Sequence, residues 1–304
     1  MDWLFFVLFA LTFIAVTLVA GNNLSACVGP AVGSRIISKR VGMLLGASGF
    51  SVGLLAQGMG MTKTVSMLLP SGAIQFRTEA LLVAVVIFAV ADLIRVPMSV
   101  SMALVGLLAG LSFAQGALHN VSYVSEVAVM WVVAPLIAIA LSFYLIRVVN
   151  RNRPHNIWRR LLIYKVLLIV LAFSTSYVLG ANTLGFIVAT SGFNLTTVTV
   201  ALVGIFVGAF YLSEGEIRRV SEELFLMRYP NATATLLTST VLVETATALN
   251  LPLSNTQALA AAVFGAGVSY KSKFVSAKPF LLTVASWVAA PLVSFACGLA
   301  LGSL

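Results

Sequence analysis

Long apolar stretches separated by short polar ones dominate the pattern along this 304-residue chain. An apolar run of roughly 20 residues can cross a bilayer as a helix, and a shorter one can enter it partway. These runs are rich in Leu, Val and Ala and longer than barrel strands, which favours helices as the spanning elements. The pattern therefore predicts an all-α, polytopic membrane protein. Its about ten apolar segments fall near residues 3–20, 41–60, 80–94, 99–116, 128–148, 161–180, 196–213, 232–250, 254–268 and 279–303.

Composition supports a membrane protein and excludes a soluble domain. Hydrophobic residues make up 60% of the chain and charged residues 9%, and the mean hydropathy is +1.06. A chain with so few polar side chains cannot cover its surface for water, so we expect a lipid bilayer around most of it.

The net charge of +9 indicates membrane topology rather than binding to nucleic acid. If the N-terminus lies outside, alternate loops differ sharply in basic residues, and the outer ones hold only Lys63 and Arg77. This asymmetry follows the positive-inside rule and predicts a multi-pass protein of the plasma membrane with both termini outside. The predicted inner loops hold Arg35, Lys39, Arg40, Arg147, Arg151, Arg153, Arg159, Arg160, Arg218, Arg219, Arg228, Lys271, Lys273 and Lys278.

Two polar interruptions occur in the same order in each half of the chain. Residues 20–23 (Ala-Gly-Asn-Asn) precede residues 97–101 (Pro-Met-Ser-Val-Ser). In the second half, residues 180–183 (Gly-Ala-Asn-Thr) precede residues 252–256 (Pro-Leu-Ser-Asn-Thr). Many secondary transporters build one site from two such copies, so the repetition favours transport.

The end of each copy repeats as well, as Trp-Val-Val-Ala-Pro-Leu at 131–136 and Trp-Val-Ala-Ala-Pro-Leu at 287–292. Each copy holds five apolar segments, an odd number, so the second must enter the membrane in the opposite sense. We therefore predict inverted-topology repeats at 1–150 and 158–304, joined by a basic cytoplasmic linker at 151–157.

The two Pro-x-Ser motifs have the composition of helix starts, with Pro in the first turn and Ser as a cap. If each lies at the tip of a re-entrant hairpin, its free N–H groups and hydroxyls would attract an anion. We therefore predict an anion site lined by Ser99, Ser101, Ser254, Asn255 and Thr256. A tight turn at the membrane surface is the alternative.

The repeated asparagines Asn22 and Asn182 are predicted to mark helix breaks. Asparagine tolerates a left-handed backbone and offers both a donor and an acceptor to exposed peptide groups. Their amides would then help to close the anion site.

Two acidic residues, Asp92 and Glu244, fall inside predicted spans, where a carboxylate is costly and often functional. Asp92 has a partner one helical turn later in Arg95, and that pair is a structural salt bridge or a functional one. Arg95 could also bind an oxyanion through two N–H groups. Glu244 could carry a coupling proton, or it could make an interhelical hydrogen bond. The sequence contains no metal-binding or catalytic motif and predicts neither an enzyme nor a cofactor.

At these positions the chain resembles the inorganic phosphate transporter (PiT) family, including its sulfate permease branch. Family members carry, in each half, Gly-Ala-Asn-Asp, then Gly-x-x-Val-Gly-Ser, then Pro-Val-Ser-Thr-Thr-His. Residues 29–34 match the second element, residues 180–182 match part of the first, and both Pro-x-Ser motifs match the third. The resemblance implies ion-coupled transport of inorganic phosphate by alternating access, with Asn22, Asn23, Asn182 and Thr183 among the substrate-binding positions.

Departures from the family pattern affect the expected substrate and coupling ion. Asn23 and Thr183 replace its aspartates, and Met102 and Gln257 replace its histidines. In the family those aspartates serve cation coupling and anion recognition, so a proton is favoured over sodium here. Phosphate carries a proton that a carboxylate can accept, whereas sulfate carries none. The loss of both aspartates therefore favours sulfate as the substrate. A sulfate proton symporter and an anion channel are the alternatives, and a homodimer stays open.

Overall fold

The structure, a computed structural model, describes residues 3–69, 73–93, 99–116, 120–151, 156–213, 229–270 and 277–303. All the regular secondary structure in these ranges is helical, which confirms the all-α prediction.

Six α-helices make up the described part of the first half, and a short 3₁₀ helix joins the second to the third. They are α1 (Trp3–Gly33), α2 (Lys39–Gln57), α3 (Met61–Leu68), α4 (Ile74–Leu93), α5 (Val100–Ala114) and α6 (Val121–Arg151).

Six more α-helices follow in the described part of the second half, with two π-helical turns, Gly180–Leu184 after α7 and Gly208–Leu212 after α9. The helices are α7 (Ile157–Leu179), α8 (Gly185–Ser191), α9 (Leu195–Val207), α10 (Tyr229–Ala248), α11 (Asn255–Tyr270) and α12 (Ala277–Gly302).

Seven helical stretches within the described ranges are long and apolar enough to cross a membrane. The helices that follow the Pro-x-Ser motifs are shorter, with 15 residues in α5 and 16 in α11. At 1.5 Å per residue they reach about 22–24 Å, less than the roughly 30 Å of a hydrocarbon core. The predicted polytopic membrane fold is therefore confirmed, with short helices among its apolar segments.

The two halves of the chain interlock instead of forming separate bundles. The three most extensive helix contacts join α5 to α12, α6 to α11 and α2 to α7, and the contact of α1 with α9 is as extensive as that of α7 with α10. All but the α7–α10 pair take one helix from each half. Exchanging the halves turns the α5–α12 contact into the α11–α6 contact, and the α2–α7 contact into the α9–α1 contact. This reciprocity is the packing expected of inverted repeats.

Glycines allow the close approach in one of these reciprocal pairs. A Cβ added at Gly110 of α5 would lie 2.3 Å from the carbonyl oxygen of Phe295 in α12. A Cβ added at Gly265 of α11 would lie 2.3 Å from the carbonyl oxygen of Ile139 in α6. Both partner atoms are backbone, so a side chain at either position would push the helices apart.

The helix break predicted at Asn22 is wrong. Helix α1 runs without interruption from Trp3 to Gly33. The neighbouring Asn23 donates from Nδ2 to the carbonyl oxygen of Val19, 3.0 Å away, so its polar side chain is satisfied within the helix itself. An asparagine in an apolar run can therefore be accommodated in a continuous helix.

At Asn182 the chain remains helical from Ile157 to Ser191, but the helix widens into the π-turn Gly180–Leu184. The break predicted at Asn182 is therefore also wrong, because a π-turn within a continuous helix takes its place. Such turns occur often at functional sites, because they redirect side chains without ending the helix.

Both Pro-x-Ser motifs lead into a helix, as predicted. Helix α5 begins at Val100 with Ser99 as its N-cap, and α11 begins at Asn255 directly after Ser254. Arg95 and residues 152–155 of the predicted linker lie outside the described residues, as does the side chain of Asp92.

We expect Gly110→Ala and Gly265→Ala each to destabilise the fold by about 1–3 kcal/mol, because the new methyl group meets backbone. The measurement is the midpoint of thermal unfolding of the purified protein in detergent. Gly204→Ala is the matched control, since its nearest contacts are looser, at 3.1 Å and 3.2 Å. Equal shifts for all three variants would contradict this account.

Candidate functional site

The two helix starts have the same capping geometry. Ser99 Oγ accepts a hydrogen bond from the Met102 N–H at 3.4 Å. Ser254 Oγ accepts one from the Gln257 N–H at 3.2 Å. Helix geometry leaves the N–H groups of the first two residues of each helix without an intrahelical acceptor. Each start therefore offers two backbone donors at the positive end of a helix dipole.

The Asn182 side chain connects the π-turn to the second helix start. This residue is fully buried. Its Nδ2 donates to Thr247 Oγ1 and to the carbonyl oxygen of Leu251, both at 3.0 Å. Its Oδ1 accepts from the N–H of Leu253 at 3.1 Å. One amide thus satisfies peptide groups on both sides of Pro252, where the chain is not helical.

Side chains from the first half satisfy the other carbonyls of this segment. The Asn250 carbonyl oxygen accepts from the Tyr123 hydroxyl and from Thr64 Oγ1, both at 2.7 Å. The Pro252 carbonyl oxygen accepts from Trp131 Nε1 at 2.9 Å. Consecutive carbonyls from Asn250 to Pro252 therefore all have donors. This non-helical segment needs no water to satisfy those carbonyls.

The repeated Trp and Pro residues allow a hydrogen bond between helices at Trp131. In an α-helix the carbonyl of Trp131 would accept from the N–H of residue 135, but Pro135 has none. Gln257 Nε2 takes that place and donates to the Trp131 carbonyl oxygen at 2.9 Å. The proline in α6 thus frees an acceptor, and α11 supplies the donor.

The remaining predicted site residues form two short contacts. Ser101 Oγ, at the first helix start, donates to Thr183 Oγ1 in the π-turn at 3.3 Å. Ser254 and Thr256 share a hydrogen bond of 2.9 Å at the second start. The π-turn therefore contacts the start of α5 through Thr183. It contacts the segment before α11 through the neighbouring residue, Asn182.

Asn255 is buried and held from α10 and α1. Its Oδ1 accepts from Ser239 Oγ at 2.7 Å, and its Nδ2 approaches the sulfur of Cys27 at 3.9 Å. Asn22 is half-buried in α1. The Asn23 side chain donates to the carbonyl oxygen of Val19 in its own helix.

Glu244 makes an interhelical hydrogen bond, which the sequence predicts as the alternative to carrying a coupling proton. Its Oε1 accepts from Gln57 Nε2, at the end of α2, at 2.9 Å. Glu244 Oε2 and Gln57 Oε1 are both buried and have no hydrogen-bond partner among the described residues. Glu244 lies three residues before Thr247 on α10, so it is one helical turn from the residue that bonds Asn182.

A pocket between α1, α4, α5 and α8 is lined by apolar side chains only, including Val19, Leu81 and Leu104. It offers no donor to an anion, so the polar helix starts are the better candidate site. The sequence did not single out Thr64, Tyr123, Ser239, Thr247 or Gln57 as partners. Only the repeated tryptophan and the unusual Gln257 gave a signal that could have found part of this network.

We expect Asn182→Ala to destabilise the protein by about 2–6 kcal/mol, because it strands two buried backbone groups at about 1–3 kcal/mol each. Thermal unfolding in detergent measures the loss. Asn23→Ala is the control, because it removes one hydrogen bond to a carbonyl of its own helix. Comparable losses in both variants would show that Asn182 does not hold the second helix start.

Comparisons with known proteins agree with this architecture. The model of the phosphate transporter family matches residues 19–168 and again residues 150–298, one match for each half. A curated relative from Methanocaldococcus jannaschii, provisionally named a phosphate permease, is 25% identical over 95% of this chain and 93% of its own length. A solved structure of a sodium-dependent phosphate transporter superposes with a TM-score of 0.87 at 16% identity, covering 99% of this chain and 98% of that one.

The last of these comparisons establishes the fold, and the family model goes further because its two matches together cover most of the chain. The protein is accordingly a multi-pass membrane transporter and not an enzyme. The chain belongs to the phosphate transporter family.

Proposed function

We propose that this protein moves inorganic phosphate across the plasma membrane as an ion-coupled secondary transporter that works by alternating access. One observation carries the proposal. Two serine-capped helix starts from opposite halves of the chain contact the same π-turn, through Ser101 to Thr183 and through Leu253 to Asn182. Such starts offer N–H donors, hydroxyls and positive dipole ends, which together suit a tetrahedral oxyanion.

Alternating access follows from the interlocked inverted halves. When one half rocks against the other, a site held between them faces each side in turn. The basic residues Arg35, Lys39 and Arg40, which follow the end of α1, favour a cytoplasmic position for that end and an outside position for both termini. The similarity to a relative named as a phosphate permease supports phosphate as the substrate.

Sulfate is the second candidate substrate, favoured by the absence of carboxylates at Asn23 and Thr183. Uptake of labelled phosphate and labelled sulfate into proteoliposomes, with proton and sodium gradients imposed separately, tests both. Saturable uptake that follows an ion gradient supports a symporter. Flux without saturation would show an anion channel.

We expect the double substitution Ser99→Ala and Ser254→Ala to abolish uptake while leaving expression intact, because both anion-binding helix starts lose their caps. The measurement is initial uptake at equal amounts of folded protein. Ser125→Ala is the control, since this exposed hydroxyl bonds only a carbonyl of its own helix. Unchanged uptake by the double variant would rule out these helix starts as the substrate site.

Glu244 is the group that we propose carries the coupling proton. The two unpartnered oxygens, Glu244 Oε2 and Gln57 Oε1, are the atoms that close the second hydrogen bond of an acid–amide pair. A proton on Oε2 would supply the donor that both lack. The pair thus gains one hydrogen bond when a proton binds and loses it when the proton leaves.

Oxygen ligands also suit sodium, so the test must separate the two cations. We expect Glu244→Gln to remove the dependence of uptake on a pH gradient while phosphate counterflow persists, because glutamine cannot take up the proton. The exposed Glu126 provides the control variant Glu126→Gln. Wild-type uptake that requires sodium and ignores pH would show that the proton assignment is wrong.

A further inference from the structure

Gln257 lies in the first turn of α11, within the second helix start. Its side chain is 2% exposed, and its backbone N–H is bonded to the hydroxyl of Ser254. The residue is therefore part of the turn that presents donors to the anion.

The orientation of the Gln257 amide is fixed by chemistry. The Trp131 carbonyl can only accept, and Pro135 leaves it without its helical donor. The nitrogen of the Gln257 amide must therefore face Trp131, at 2.9 Å. A flipped amide would bring two oxygens together, so the assignment of Nε2 and Oε1 follows from the bonding partners.

The other end of this amide, Gln257 Oε1, is buried and has no hydrogen-bond partner among the described residues. A buried acceptor without a donor is costly and calls for an explanation. In the same turn, helix geometry leaves the backbone N–H groups of Asn255 and Thr256 without an intrahelical acceptor. A ligand that satisfies this turn needs several acceptor oxygens and one hydroxyl group.

Hydrogenphosphate has this composition, because at neutral pH it carries three acceptor oxygens and one P–OH group. Sulfate has four acceptor oxygens and no hydroxyl. We propose that Gln257 Oε1 accepts the hydrogen of the P–OH group, and so selects oxyanions that carry a proton over those that do not. This inference rests on the proposed function and adds the group that determines its specificity.

The pseudo-symmetric position of the first helix start supports a single acceptor. Met102 follows Ser99 as Gln257 follows Ser254, and it is equally buried, at 1% exposed. A thioether is at most a weak acceptor, so the first start presents no comparable oxygen. Of the two turns, as the structure describes them, only the second has a buried amide oxygen without a hydrogen-bond partner, which matches a substrate with one hydroxyl group.

Competition among tetrahedral anions tests the proposal. Uptake of labelled phosphate into proteoliposomes is measured against arsenate, which carries a proton at neutral pH, and against sulfate, selenate and monofluorophosphate, which do not. Arsenate should compete like phosphate, and the other three should need at least about tenfold higher concentrations, because each leaves the acceptor unpaired. Monofluorophosphate is the sharpest probe, since it keeps the phosphorus and lacks the hydroxyl.

In Gln257→Met the preference for arsenate over sulfate should fall by about tenfold, as the acceptor is gone. Met102→Leu is the control and should keep the wild-type ratio. An unchanged ratio in Gln257→Met, or monofluorophosphate competing as well as arsenate in the wild type, would overturn the proposal. The wild-type comparison decides the matter even if Gln257→Met fails to fold.

Ligand-induced thermal stabilisation separates this inference from the transport proposal. A wild-type protein that takes up no phosphate under any gradient, yet is stabilised by arsenate and not by sulfate, would refute transport and retain the role of Gln257. A protein that transports phosphate but is stabilised equally by both anions would support transport and refute the role of Gln257.

Discussion

Non-helical backbone in apolar surroundings must find hydrogen-bond partners, and here the Asn182 amide supplies the central ones. It donates to Leu251 and accepts from Leu253, so the chain can turn at Pro252 and restart as α11. An aspartate at this position would offer no donor to the Leu251 carbonyl, and a threonine offers a single hydroxyl. Asn182, which lies in the π-turn, thus holds the segment that leads into the helix start and its serine cap.

Duplication provides the frame of the site, and divergence between the copies makes its two ends different. The capping serines and the Trp–Pro pairs are the same in both halves. In contrast, Ser101 reaches across to Thr183, whereas Thr256 bonds its neighbour Ser254. A symmetric site would suit a symmetric anion such as sulfate. Met102 and Gln257 occupy equivalent positions, and only Gln257 has an amide oxygen, so the two helix starts differ at this position.

Local signals predicted the parts of this structure that depend on local rules. Pro followed by Ser marks a helix start because the cap and the fixed backbone angle act within one turn. The break at Asn22 was wrong because an asparagine can instead be tolerated within a helix, as the bond from Asn23 to Val19 shows. The pairing of Gln57 with Glu244 joins residues 187 positions apart, and no periodicity or spacing encodes such a contact. The repeated tryptophan is visible in the sequence. Its hydrogen bond to the Pro252 carbonyl oxygen, and the carbonyl that Pro135 leaves open to Gln257, can be recognised only from the tertiary packing.

The aspartates missing at positions 23 and 183 weigh toward sulfate only if a carboxylate must accept the phosphate proton. A neutral amide oxygen can accept the same proton without repelling the dianion, and a carboxylate beside a doubly charged ligand would also raise the electrostatic cost of binding. The proposed proton site, Glu244, lies on α10 and is not part of either helix start. It still lies one turn from Thr247, which bonds the amide that holds the second start. The proposed proton site and the proposed anion site thus both contact α10, through different side chains, and a shared helix is one physical route by which two separate ligands are coupled.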